Sequence, residues 1–130
     1  MRKDWKKWLA LVVMTTLILI GTVETTWATD YRPLIGRWQR TDGGYIIDIR
    51  RVAADGAMEA GYFNPRPINV SQAKASEFKH HLKVEVELRD TGYPGSSYTL
   101  LYDPDKDALL GFYYQAVQKQ NFDVIFVRMK

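Results

Sequence analysis

The stretch Leu34-Ile35-Gly36-Arg37-Trp38-Gln39-Arg40 decides the fold that this sequence predicts. We interpret it as the first strand of a small antiparallel β-barrel, with the Trp38 side chain pointing inward. The last apolar stretch of the chain, residues 124–128, ends in Arg128. We expect this final strand to pair with the first one, because closing the barrel removes edges that would otherwise pair with another chain.

Residues 1–28, which precede this stretch, have the character of a secretory leader. A basic start is followed by an apolar run over 9–23 and by Thr26-Trp27-Ala28, which offers small residues where a signal peptidase reads. The run is about fifteen residues long, short of the roughly 20 that a spanning helix needs. We therefore predict an N-terminal signal helix and an exported protein, periplasmic or secreted, with no stable membrane span after signal removal. An inner-membrane protein anchored by its uncleaved leader is the alternative.

Composition limits the classes of protein that residues 29–130 can form. Their length suits one domain with one core, and the absence of cysteine means that no disulfide holds it. The formal net charge is +3, but the leader contributes most of it and the later charges are interspersed. Nucleic-acid binding is not expected, because it needs a clustered basic face.

Alternation of apolar and polar side chains with a period of two dominates the rest of the chain. It is clearest over residues 82–88, where Val84 and Val86 share one face and Glu85 and Glu87 share the other, as in a half-buried antiparallel strand. Asp42-Gly43-Gly44 and Asp55-Gly56 are typical turn sequences. The predicted strands cover residues 34–40, 45–52, 57–64, 68–72, 82–88, 98–102, 108–117 and 122–128.

These strands predict an all-β domain over residues 29–130, an eight-stranded antiparallel up-and-down barrel. The links are too short for crossover helices, and eight strands can close. Residues 74–80 are predicted to be a polar connection. The orientation of strand 108–117 stays open, because both of its faces carry large side chains.

Gly36-Arg37-Trp38 on a first strand, with Arg128 near the end of a last strand, resembles the calycin superfamily, which includes the lipocalins, avidins and fatty-acid-binding proteins. The resemblance implies that Gly36 allows close packing, that Trp38 plugs one end of the barrel and that Arg128 lies across the indole. Stacking of a guanidinium on an indole contributes roughly 0.5–2 kcal/mol. The chain also resembles small uncharacterised exported bacterial proteins, in agreement with the predicted location.

Residues 55–62 are similar to the second hairpin of avidins, where a tyrosine matching Tyr62 binds the ureido oxygen of biotin. Avidins, however, place an asparagine and a serine where this chain has Arg40 and Gly44. They also surround biotin with several tryptophans, whereas Trp38 is the only tryptophan after residue 28. Biotin binding is therefore not expected.

No arrangement of side chains predicts catalysis, a metal site or a cofactor. Asp103, Asp105 and Asp107 begin like a calcium loop, but the sixth and twelfth positions of that loop lack the required glycine and glutamate. A solvated hairpin loop is the favoured interpretation. His80-His81 cannot chelate one metal from a strand, since neighbouring residues point to opposite faces.

Tyrosines and amides are the remaining functional signal. In a meander they could gather at one mouth of the barrel, where aromatic walls and polar groups bind a small molecule. The candidate ligand-binding residues are Tyr62, Asn64, Tyr93, Tyr98, Tyr113, Tyr114 and Gln115.

Three functional hypotheses remain. The first is an exported, non-enzymatic barrel that binds a small apolar or aromatic molecule in the barrel. The second is a barrel filled by its own side chains, which acts through its outer surface on a protein partner or in envelope assembly. The third and least favoured is an enzyme that uses the barrel mouth.

Overall fold

The computed structural model describes residues 20–24, 27–92 and 94–130. The signal helix predicted for residues 1–28 falls mainly outside these ranges. No helix within the described residues is long and apolar enough to cross a membrane. The elements of the described residues are a short 3-10 helix, Arg32–Leu34, and nine strands: β1 Gly36–Arg40, β2 Ile46–Val52, β3 Met58–Phe63, β4 Pro67–Ile68, β5 Val70–Phe78, β6 His81–Leu88, β7 Ser97–Asp103, β8 Ala108–Gln115 and β9 Gln120–Arg128.

The nine strands form one antiparallel sheet in the order β4-β3-β2-β1-β9-β8-β7-β6-β5. The first and last strands of the chain are neighbours, with Trp38 opposite Arg128 in the register. The two ends of the sheet meet where Ala57 bridges to Lys74 and the Ala75 amide donates to the Gly56 carbonyl at 2.7 Å. The all-β antiparallel prediction is confirmed, and the sheet curls into a nearly closed barrel.

The prediction of eight strands is wrong, because the stretch predicted as one strand over 68–72 divides into two. Pro67 and Ile68 form β4 on one edge of the sheet, next to β3. Val70 then begins β5, which pairs with β6 at the other edge. Proline 67 lacks an amide donor, which suits a very short edge strand.

The polar connection predicted over residues 74–80 is also wrong, since most of it belongs to β5. Its polar side chains, such as Lys74, alternate with the partly buried Ala73 and the fully buried Ala75. Small alanines therefore occupy the inner face of a strand whose outer face is wet. Strand β8, whose orientation the sequence left open, places Leu109 and Tyr113 inside and Phe112 outside.

A continuous core fills the space between the strands. Its largest fully buried side chains are Trp38, Tyr62, Tyr98 and Phe126. The Tyr98 ring lies 5.5 Å from Tyr62 and 5.2 Å from Phe126, centroid to centroid, within the range of favourable aromatic pairs. The rest of the buried core consists of Leu34, Ile47, Ile49, Ala75, Val84, Val86, Leu88, Leu100, Leu109, Tyr113 and Val124.

Candidate functional site

One end of the barrel is covered by Trp38 and Arg128. The Arg128 guanidinium carbon lies 4.2 Å from the centre of the Trp38 ring, so the predicted stacking contact is present. Trp38 is fully buried, and its Nε1 donates to the Leu34 carbonyl at 2.9 Å. This bond attaches the short 3-10 helix to the end of the barrel.

Arg128 is hydrogen-bonded through its whole guanidinium. Nη1 donates to the Ile35 carbonyl at 2.7 Å, and Nη2 donates to the Pro33 carbonyl at 2.6 Å. Nε and Nη2 also pair with the two carboxylate oxygens of Asp107, at 2.8 and 3.0 Å. These bonds lower the pKa of Asp107 and raise that of Arg128. Asp107 is therefore part of the structure that closes this end.

Gly36 makes the approach of Arg128 possible. Its φ is +143°, and a Cβ on this residue would lie 2.6 Å from Nη1 of Arg128. A side chain here would both strain the backbone and displace a guanidinium held by four hydrogen bonds. Gly36, Trp38 and Arg128 together form what we call the sealed end.

The other end of the barrel opens into a cleft with a volume of about 580 Å³, within the size range of small-molecule sites. We call it the mouth cleft. Three turns or strand ends meet there: the β1–β2 turn, the end of β3 and the β8–β9 turn. Its lining residues are Arg40, Asp42, Tyr45, Tyr62, Tyr113, Gln115, Gln118, Asn121, Phe122 and Asp123.

Arg40 lies at the centre of the mouth cleft. Its guanidinium pairs with both carboxylate oxygens of Asp42 at 2.7 Å and donates to the Tyr98 hydroxyl at 3.0 Å. It also stacks 4.1 Å above the Tyr45 ring. The pKa of Arg40 is raised by Asp42, and that of Asp42 is lowered in return. Only 11% of the Arg40 side chain is exposed, so these partners satisfy a largely buried charge.

A pair of buried tyrosines lies beneath Arg40. The hydroxyl oxygens of Tyr62 and Tyr98 are 2.7 Å apart, and burial raises the pKa of both residues. Hydrogen bonds therefore run from the exposed Asp42 carboxylate through Arg40 to hydroxyls that stay neutral. Tyr62 lines the mouth cleft, but both tyrosines are almost fully buried and their hydroxyls bond each other, so the pair supports the base of the cleft.

The structure brings some of the sequence-predicted ligand residues together and separates others. Tyr62, Tyr113 and Gln115 line the mouth cleft, and Tyr98 lies directly behind them. Asn64, in the β3–β4 turn, is not among the lining residues. Tyr114 does not line it either, because it follows the inward Tyr113 and lies on the outer face. Tyr93 is outside the described residues.

Sequence reasoning missed the charged and exposed part of the mouth cleft. The missed lining residues are Arg40, Asp42, Tyr45, Gln118, Asn121, Phe122 and Asp123. One signal was available for Arg40, since it has the same parity as Trp38 on β1 and therefore points inward. The others come from turns whose proximity depends on the closed sheet.

A second cleft, of about 620 Å³, runs along β5, β6 and β7. Its lining combines Asp55, Glu85 and Glu87 with Lys74. Among the described residues, Tyr98 is the one aromatic residue of this lining, and it is fully buried, so the described part of the cleft has no exposed aromatic wall. Within the described ranges, no group of three or more His, Cys, Asp or Glu residues could hold a metal ion.

Comparisons of the chain with protein-family models, with curated proteins and with solved structures find no match.

Proposed function

We propose that this chain is an exported, non-enzymatic binding protein that takes up a small aromatic molecule at the mouth cleft. The observation that carries the proposal is the difference between the two ends of the barrel. Trp38 and Arg128 cover one end, whereas the other end opens into a cleft of about 580 Å³ with aromatic rings and polar groups on its walls. Large side chains such as Tyr62, Tyr98 and Phe126 are fully buried inside the barrel, so we place the ligand at the mouth.

Phe122 and Tyr113 supply the stacking surface. Their rings are nearly parallel, with centroids 6.5 Å apart and planes inclined by 27°. Tyr113 is buried, whereas 42% of Phe122 is exposed. An aromatic ligand that covers Phe122 would extend a stack already anchored in the core, and such ring contacts contribute about 0.5–1.5 kcal/mol beyond the area they bury.

The polar groups of the mouth cleft determine which aromatic molecules fit. Gln115, Gln118 and Asn121 offer amide donors and acceptors. Asp42 and Arg40 give the lining one carboxylate and one guanidinium, which pair with each other, and the exposed Asp123 adds a negative charge at the rim. The cleft therefore favours a neutral or cationic aromatic molecule with hydrogen-bonding substituents over an anion.

Binding of a panel of small aromatic fragments, followed by ¹H–¹⁵N NMR, tests this proposal. We expect neutral or cationic members to shift the side-chain amide signals of Gln115, Gln118 and Asn121. Phe122→Ala should weaken binding about tenfold, equivalent to about 1.4 kcal/mol. Phe112→Ala is the matched control, because Phe112 is 40% exposed but lies on the outer face of the neighbouring strand.

Two results would contradict the proposed site. One is the absence of any fragment that shifts the amide signals at millimolar concentration. The other is a fragment whose affinity falls as much in the Phe112 variant as in the Phe122 variant.

Export is the part of the proposal that comes from residues 1–28. N-terminal sequencing of the mature protein should begin at Thr29, directly after the small residues that a signal peptidase reads. Material that still begins at Met1 would instead support the anchored alternative.

A further inference from the structure

The outer face of β7, β8 and β9 carries an apolar patch. Leu101, Leu110 and Ile125 lie directly opposite one another on the three strands, and Phe112 and Val127 flank this row. Phe112 is 40% exposed, and Ile125 and Val127 are each 43% exposed. We call these five residues the outer patch.

The register shows that the outer patch points away from the core. Ile125 lies between Val124 and Phe126, which are both buried, and Phe112 precedes the buried Tyr113. The outer face of the next strand, β6, instead carries Lys83, Glu85 and Glu87. One wall of the barrel is therefore apolar on the outside while the adjacent wall is charged. Contiguous exposed apolar surface of this kind marks an interaction site.

Opposite charges lie at the two ends of the outer patch. Asp123 is directly opposite Phe112 on β9. Arg37 is on β1 beside the far end of β9, where its carbonyl accepts from the Met129 amide at 2.8 Å. The two charges are roughly 20 Å apart along the strands, from the rise of about 3.3 Å per residue. Both side chains are exposed, and neither forms an ion pair with another described residue.

We propose that the outer patch is the interface of a two-fold symmetric homodimer. A two-fold axis through the middle of the patch exchanges its ends, so Arg37 of each copy meets Asp123 of the other. The apolar centre of one copy then packs against that of the other, and one Arg37–Asp123 pair lies at each end of it. An apolar centre with a polar rim is the usual arrangement of a protein interface. The outer patch is therefore complementary to a second copy in the distribution of its charged and apolar residues.

Thr29, which precedes β1, lies away from the outer patch, because its hydroxyl donates to the Glu77 carboxylate of β5 at 3.1 Å. Strand β6 separates β5 from β7, the nearest strand of the outer patch.

Analytical ultracentrifugation of the full chain over a concentration series tests the dimer. We expect the wild-type chain to be dimeric at about 100 μM, well above a Kd of about 1 μM. Ile125→Lys should raise Kd at least a hundredfold, because it buries an unpaired charge at the centre of the interface. Gln72→Lys, at an exposed position of β5, is the control and should leave Kd unchanged.

A charge exchange makes the test specific for a second copy. Arg37→Asp and Asp123→Arg should each raise Kd about tenfold or more, since each places like charges together, and the double variant should restore Kd to near the wild-type value. Rescue by the double variant cannot arise from loss of folding or from another partner. A wild-type chain that is monomeric at about 100 μM, or a double variant that dimerises no better than the single ones, would overturn the proposal.

Discussion

Replacement of Arg128 by alanine is the most direct test of the sealed end. The two hydrogen bonds to the Pro33 and Ile35 carbonyls come from a charged donor, and at about 1.5 kcal/mol each they contribute about 3 kcal/mol. The contact with the Trp38 ring adds about 1 kcal/mol. The pair with Asp107, whose carboxylate is 47% exposed, adds less than about 1 kcal/mol.

We therefore expect Arg128→Ala to lower the free energy of unfolding by about 4 kcal/mol, a large share of the roughly 5–15 kcal/mol typical of a domain. Its melting temperature should fall by roughly 15 °C or more. Arg128→Lys should lower the free energy of unfolding by about half as much. Lysine keeps the charge but lacks the planar guanidinium, which stacks on the Trp38 ring and donates several hydrogen bonds at once.

Guanidinium chloride unfolding, followed by far-ultraviolet circular dichroism, measures these differences. The control is Arg51→Ala, another strand arginine, whose side chain is 78% exposed and whose ion pair with Glu59 spans 3.8 Å. It should change the free energy of unfolding by no more than about 0.5 kcal/mol. If Arg128→Ala costs no more than this control, the sealed end does not stabilise the barrel and the reasoning above fails.

Three further predictions concern packing and pH. Gly111→Ala should lower the free energy of unfolding by about 3 kcal/mol or more, as in overpacked cores, because its Cβ would lie 1.9 Å from the Thr99 carbonyl oxygen. Gly44→Ala is the control in the same unfolding assay and should be close to neutral, because its Cβ would meet nothing within 4 Å. Because Arg128 lowers the pKa of Asp107, the ionised carboxylate stabilises the fold above the ordinary carboxyl pKa, and this stability is lost as the pH falls through the lower pKa of the folded state. Asp107→Asn should therefore reduce the loss of unfolding free energy at acid pH, and an unchanged acid dependence would contradict this. Burial raises the pKa of Tyr62 and Tyr98, so these neutral hydroxyls stabilise the fold fully below the ordinary tyrosine pKa and the fold loses this stability at higher pH. Ultraviolet titration should show both residues ionising only as the chain unfolds in alkali, and reversible ionisation of all tyrosines in the folded state would contradict this.

Sequence periodicity predicted those strands whose inner positions carry large apolar side chains. Residues 82–88 and 122–128 alternate strongly, and both stretches are strands in the structure. The part of β5 after residue 72 was missed because Ala73 and Ala75 form its inner face there, so the contrast between the two faces is small. Short-range patterns also could not show that the chain passes from one edge of the sheet to the other at Asn69.

The sequence predicted only those residues of the candidate site that can be recognised individually. Tyr62 and Tyr113 stood out as aromatic residues on strands, and both line the mouth cleft. Asp42 was not predicted, because its place in the site depends on its pairing with Arg40 and on the β8–β9 turn, which is distant in sequence. Only the closing of β1 against β9 brings these groups together.

The junction between β3 and β5 has a consequence for how the molecule fluctuates. Eight residue pairs join β8 to β9, but the junction has a single bridge, Ala57 to Lys74, and the bond from the Ala75 amide to the Gly56 carbonyl. Local opening begins where the fewest bonds must break, so amide hydrogen exchange along this line should be the fastest of any strand boundary. Pro65 and Pro67, which lack amide donors, and the wet face of β5 then protect the parted edges from pairing with another chain.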